Sequence, residues 1–180
     1  MTFRLKIGLV LSSMVISGLA QADLRVDMRN VDATGVGTSV GVITISESRY
    51  GLVFTPALRG VKAGLHGFHV HELPSCEPLK KDSVMVPALA AGDHYDPSAS
   101  GHHGLPWGAG HLGDLPALYV TDDGQANYPV LAPRLKKLSE LKGRSLMIHV
   151  GGDNHADHPA PLGGGAARLY CGVIGEKKAK

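Results

Sequence analysis

Alternation of apolar and polar residues governs the chain from Asp23 onward. In LRVDM the apolar Leu24, Val26 and Met28 alternate with polar neighbours, the period of a strand with one face in a core. Residues 39–48 (SVGVITISES) are rich in β-branched side chains, as is the shorter GLVFT, which Pro56 is expected to stop. In GFHVHE, His69 and His71 share one face of an extended segment while Phe68 and Val70 point the other way, into a core. ALYVTDDGQANYPVLAP predicts a hairpin turning at Asp123-Gly124, a favoured type I′ pair. Leu135, Leu138 and Leu141 are spaced for one or two helical turns, which Gly143 ends. RSLMIHV and ARLYCGVI predict two further strands. Many short strands and no long amphipathic helix predict an all-β fold, an antiparallel β-sandwich or barrel. Two long loops interrupt it, one from Leu73 to about Pro116 and one over GGDNHADHPAPLGGG. Long loops inside a compact domain are usually functional.

The termini refine this picture. MTFRLK carries Arg4 and Lys6 without an acid, IGLVLSSMVISGLA is apolar, and Ala20-Gln21-Ala22 offers small residues for cleavage. That order is the order of a secretory signal peptide, so residues 1–22 are expected to be removed and 23–180 to form one exported domain. Residues 1–22 hold two of the 18 bases and none of the 16 acids, so the remaining chain is balanced in charge. A nucleic-acid binder would need a basic patch or stripe, and none is present. No later segment is apolar enough for a bilayer span, so no membrane anchor is expected after cleavage. Cys76 and Cys171 are the only two cysteines. An even count in an oxidising compartment favours a disulfide between them. Closing so long a loop is worth roughly 4–5 kcal/mol in the chain-entropy model. It would also tie the first long loop to the last strand.

The chemistry lies in the loops. Seven of the ten histidines fall between His66 and Asp114. Neutral imidazoles bind zinc and copper well. His69 and His71 form a chelating pair on a rigid element, and His149 ends a distant strand where it can add a third ring. His94, His103, His111 and Asp114 supply three imidazoles and a carboxylate, a set that suits tetrahedral zinc. An all-imidazole set from His69, His71, His149 and one more histidine suits copper. The ligand count therefore points to two metals, although spacing alone does not allot each histidine to an ion.

GFHVHE, GDHYDP, HLGDLPALYV, MIHVGGDNHADHPAPLGGG and ARLYCGVI together resemble copper,zinc superoxide dismutase of the bacterial periplasmic branch, from about residue 24 to 175. The resemblance implies a Greek-key β-sandwich or flattened barrel, one copper and one zinc ion per subunit, superoxide as substrate and a periplasmic location. It makes His69, His71, His94 and His149 the copper ligands, and His94, His103, His111 and Asp114 the zinc ligands, with His94 bridging as an imidazolate. Asp153 would orient His69 and His103. Arg168 would dock the anion beside copper, since a guanidinium stays charged and offers a planar fork of donors. The implied catalytic residues are Arg168 and His94, the latter accepting a proton when copper is reduced. The resemblance admits both a monomer and a homodimer, and it specifies no copper-delivery partner.

Several residues depart from the family pattern. Asp93 stands before the bridging position where a small or neutral residue is common, and its charge opposes an approaching anion. His102 neighbours His103 where lysine is frequent, and spacing favours His103 as the ligand. His66, His155 and His158 are expected to be structural or solvated, and Trp107 to be packed. Two rivals remain at this point: a metal-binding protein without turnover, and a zinc hydrolase. The first is disfavoured by Arg168 beside a full ligand set. The second lacks the acid that hydrolases place two residues after H-x-H, because Leu73 stands there.

Overall fold

The computed structural model of the chain describes residues 22–175. The expected leader and the C-terminal EKKAK lie outside the described residues, apart from Ala22. The strands in chain order are β1 (Leu24–Asp32), β2 (Gly35–Ser48), β3 (Gly51–Arg59), β4 (Gly64–His66), β5 (Phe68–His71) and β6 (Leu79–Lys81). They continue as β7 (Val84–Val86), β8 (Leu118–Val120), β9 (Gln125–Ala126), β10 (Val130–Ala132), β11 (Ser145–His149) and β12 (Arg168–Val173). The main sheet is antiparallel, in the order β10-β3-β2-β1-β12-β11-β5, with β9 also on β3. This curled sheet is the expected all-β, Greek-key-like sandwich, and only short 3-10 turns accompany it among the described residues.

The curl closes over the larger of two apolar clusters; the smaller gathers Val31, Ala88, Ala91 and Met147 around the disulfide. Val26 and Met28 of β1, Ile43 and Ile45 of β2, and Leu52, Phe54 and Leu58 of β3 alternate inward and are buried. Phe54 meets Phe68 edge to face at 5.7 Å, a geometry favoured by the ring quadrupoles. Each such buried side chain contributes about 1.5–3 kcal/mol relative to exposure. Leu135, Leu138 and Leu141 cap the same core around a 3-10 turn at Leu138–Leu141.

Four local expectations are corrected. β3 runs through Pro56, which pairs with Ile43. On its other side Pro56 falls between the β10 and β9 pairings, a gap where no ladder needs an N–H. The turn after β8 is not type I′: Gly124 N–H bonds Thr121 O at 2.9 Å, so Asp122 and Asp123 are central and only Gly124 has positive φ. β8 pairs with β4 and β9 with β3, so no two-stranded ladder joins β8 to β9. The first long loop contains its own hairpin, β6–β7. Trp107 is 68% exposed, because Gly108 N–H bonds Leu105 O at 2.8 Å and this tight turn aims it at solvent.

β5 positions the site. One edge pairs with β11, bringing Met147 opposite His69 and Ser145 opposite His71. The other edge receives the first long loop through two isolated bridges, His69 with Asp114 and His71 with His94. Val70 exchanges bonds with this loop, donating to Gly113 O and accepting from Tyr95 N–H, both at 2.9 Å. A Cβ at Gly113 would stand 2.3 Å from Val70 O, so only glycine lets the loop lie this close. The disulfide Cys76–Cys171, Cα–Cα 5.7 Å, joins the start of that loop to β12.

Candidate metal centre

His69 and His71 reach the same side of β5, while Phe68 and Val70 join the core. His149, at the end of β11, stands beside them, its ring 4.9 Å from that of His69 and 5.7 Å from that of His71. The His94 ring lies 4.0 Å from His69 and 5.1 Å from His71 on one side. On its other side it is 5.3 Å from both His103 and His111. Two groups of donors result, each with its ligand atoms within 4.8 Å of one another: His69, His71, His94 and His149, and His94, His103, His111 and Asp114. His94 belongs to both.

Each ring is oriented through the nitrogen that faces away from its group. His69 Nε2 pairs with Asp153 Oδ2 at 2.8 Å, His71 Nδ1 with Gly92 O at 2.9 Å, and His149 Nδ1 with Ala166 O at 3.1 Å. These acceptors hold a proton on the named nitrogen and leave the opposite one with a free lone pair. The opposite nitrogens, His69 Nδ1, His71 Nε2 and His149 Nε2, are buried without a hydrogen-bond partner. Orphaned buried nitrogens are costly in a protein interior unless something binds them. Burial, then the charge of His94, holds His69 and His71 well below the ordinary imidazole range. Burial likewise lowers His149 to about 4. All three are neutral rings, the form that ligates metal.

The second group converges on one oxygen. His94, His103 and His111 bring Nδ1 to within 2.9, 2.9 and 3.2 Å of Asp114 Oδ1. The His103 contact has ion-pair distance but not hydrogen-bond alignment, and its Nδ1 is otherwise unpartnered. Three rings aiming the same nitrogen at one carboxylate oxygen do not form an ordinary hydrogen-bond network. Ligands about 2.0–2.1 Å from a tetrahedral zinc stand about 3.3 Å apart, close to these separations. Asp114 is oriented by Gly104 N–H on Oδ2 at 2.9 Å.

Asp153 ties the two groups together. Its Oδ2 accepts from His69 Nε2, and its Oδ1 accepts from His103 Nε2 at 2.8 Å and from His155 N–H at 2.8 Å. The donor group His69, His103 and Asp153 is thus an orienting contact made through the outward-facing nitrogens of both rings. Burial opposes its charge, but His103 and then His69 hold its carboxyl well below the usual range. His103 in turn is pulled down by burial and raised more strongly by Asp114 and Asp153, to about 9. The two carboxylates create a negative field at this ring that suits a cation. A Cβ on Gly163 would stand 2.0 Å from Asp153 Oδ1, and Gly163 has φ +69, so glycine is required there.

Arg168 opens β12 opposite His149. Its Nη1 donates to Ala88 O and its Nη2 to Gly92 O, both at 2.6 Å. Gly92 O thus fixes both the guanidinium and the His71 ring. Burial lowers the Arg168 pKa, Asp93 acts in the opposite direction, and an arginine stays charged in proteins. Asp93 is exposed at this rim.

The family profile described as Copper/zinc superoxide dismutase (SODC) matches residues 39–174. The chain belongs to the copper/zinc superoxide dismutase family. It is 51% identical to a superoxide dismutase [Cu-Zn] of Haemophilus parainfluenzae, over 97% of this chain and 99% of that protein. The solved Cu/Zn superoxide dismutase from Brucella abortus superposes with TM-score 0.83 at 54% identity, covering 85% of this chain and 99% of that one. The solution structure of the monomeric copper, zinc superoxide dismutase from Salmonella enterica gives 0.78 at 55% identity, covering 85% and 99%. The two donor groups match the copper and zinc sites of this family.

The remaining residues singled out in the sequence lie at or beyond the rim of these groups. His102 is exposed, its Nδ1 on Ser100 O, and takes no part in either. His66 lies behind the site, with its two nitrogens 2.7 Å from His149 O and Lys62 O. His155 stacks on His103 and stands 3.5 Å from Asp153. Sequence reasoning missed Asp157, which accepts the His103 N–H at 2.9 Å, the Gly92 carbonyl, and Arg134. An acid four residues past Asp153 was a weak signal for the first, and a backbone carbonyl leaves none.

Proposed function

We propose that His69, His71, His94 and His149 hold copper, that His94, His103, His111 and Asp114 hold zinc, and that Arg168 receives the substrate anion. Membership of the family makes the chain a superoxide dismutase, an oxidoreductase converting superoxide to dioxygen and hydrogen peroxide. The observation that carries the residue assignment is the set of orphaned buried nitrogens, each paired with an oriented partner nitrogen on the same ring. Donor chemistry supports the division: four imidazoles suit copper, three imidazoles and a carboxylate suit zinc.

Bound copper supplies a one-electron couple that one superoxide reduces and a second reoxidises, the second step consuming two protons. The protein's part is positioning and charge. Arg168, tied at Nη1 and Nη2 to two carbonyls, keeps its remaining N–H donors for a small anion and cannot swing away. His94 commits Nδ1 to the Asp114 side, so Nε2 is the atom it offers to the other group and the one that takes up and returns a proton. Burial of the histidines keeps water from the donors except at the rim.

Relatives in bacteria support a location outside the cytoplasm. A periplasmic chain released from its leader is our reading, supported by the order of residues 1–22 and by the disulfide. No helix among the described residues is long and apolar enough to cross a membrane. The test is superoxide turnover and copper electron paramagnetic resonance of the metal-loaded protein and of His69→Ala. Loss of turnover with an altered copper spectrum is expected. Wild-type turnover in His69→Ala, or none in loaded wild type, overturns the assignment.

A further inference from the structure

The loop that carries all four zinc-side donors is held by an arginine outside it. Arg134 Nε donates to Pro106 O at 3.1 Å, Nη1 to Gly110 O at 2.8 Å, and Nη2 to the carbonyl of His111 itself. All three guanidinium nitrogens are spent on one loop. The Arg and Lys ion pairs among the described residues are Arg29–Asp27 and Lys137–Glu47, so no carboxylate competes for this side chain.

Both ends of this strut are informative. Its root lies between Ala132, the last residue of β10, and Leu135, which is fully buried and accepts Leu52 N–H at 2.9 Å. Its tip meets the donor that the barrel holds least. His94 and Asp114 are bridged to β5, and His103 is bonded by Asp153 and Asp157. His111 is tied only within the loop: its N–H donates to His102 O at 3.1 Å, and its carbonyl also accepts from Asp114 N–H at 3.3 Å. Its one ring bond is to Asp114, and it is the most exposed of the four, at 9% against 5, 3 and 2%.

We propose that Arg134 is a positioning residue for zinc, fixing the spacing from Pro106 to His111 so that His111 Nδ1 already faces Asp114. The inference rests on the zinc assignment above. A guanidinium suits the task because its planar fork fixes several carbonyls at once, where an ammonium is a point charge. The contribution is geometric: a nearby positive charge repels a cation, so charge alone predicts that removing Arg134 would tighten zinc. Position and charge therefore predict opposite signs.

The experiment uses copper- and zinc-loaded wild type, Arg134→Gln and Arg134→Lys. Zinc transfer to a chromophoric chelator is timed, copper content is followed in parallel, and cobalt(II) absorption reports coordination geometry at the zinc site. Arg134→Gln is expected to release zinc at least tenfold faster, equivalent to about 1.4 kcal/mol, with a changed cobalt(II) spectrum and copper retained. Arg134→Lys is expected to fall between, and it carries the test if the glutamine variant does not fold. Zinc release at or below the wild-type rate overturns the proposal. So does equal loosening of both metals that follows a lowered unfolding temperature of the metal-free variant. Wild type that binds zinc equally well with Asp114→Ala would instead overturn the zinc assignment.

Discussion

Replacing Asp153 with Asn tests the link between the two metal groups, and the structure predicts an unequal outcome. The carboxylate accepts at both oxygens, from His69 Nε2 on Oδ2 and from His103 Nε2 and His155 N–H on Oδ1. An amide has one accepting oxygen and one donating nitrogen. Its oxygen is expected where two donors meet, beside His103 and His155, which turns its NH2 toward His69 Nε2. Two donors would then face each other, and relief requires His69 to move its proton to Nδ1, the proposed copper-binding atom. A hydrogen bond to a charged group is worth about 1.5–3 kcal/mol, and loss of an orienting partner lowers metal affinity by roughly 10–100-fold. We expect copper affinity to fall within that range and zinc affinity by less than about tenfold. Competition titrations with calibrated chelators, and the copper(II) resonance, measure both. Unchanged copper affinity, or a larger loss for zinc than for copper, would refute the reasoning. Asp153→Ala removes both acceptors and should weaken both ions.

Three further outcomes follow from other parts of the molecule. Asp93→Asn removes an exposed charge acting on Arg168, so kcat/KM should rise about twofold at low ionic strength and converge with wild type at high salt; an unchanged rate at low salt would contradict this. Replacing Cys76 and Cys171 by Ser opens the loop closed by a sequence separation of 95, costing up to roughly 4–5 kcal/mol in denaturant titration. Turnover should fall as well, because Ala88 and Gly92, which hold Arg168, lie in the loop thus freed. Phe54→Ala removes a fully buried ring packed against Phe68 and should cost about 3–5 kcal/mol; a loss below about 1 kcal/mol would show that the core collapses around the gap.

Local chemistry was legible where the signal was periodic. Val26, Met28, Ile43 and Ile45 face the core because alternation forces them to, and the same rule separates His69 and His71 from Phe68 and Val70. Pro56 misled because a proline ends a strand only where its N–H would be needed. Trp107 misled because its exposure depends on a tight turn whose hydrogen bond no residue type announces. Arg134 carried no signal in the sequence, since its partners are carbonyls 23 to 28 residues away.

The sequence by itself determined the class of fold, the metal-binding chemistry and the inventory of donors, because period, residue type and the limited menu of copper and zinc ligands are local properties. The tertiary structure alone decided which nitrogen of each ring is free, since that depends on what the other nitrogen meets: Asp153 for His69, the Gly92 carbonyl for His71, the Ala166 carbonyl for His149. It alone decided that Gly92 O serves both His71 and Arg168, whereas the place of His94 between the groups was already implied by the family resemblance. A donor's identity is written in one residue, but its direction is set by contacts that close only when distant strands pack.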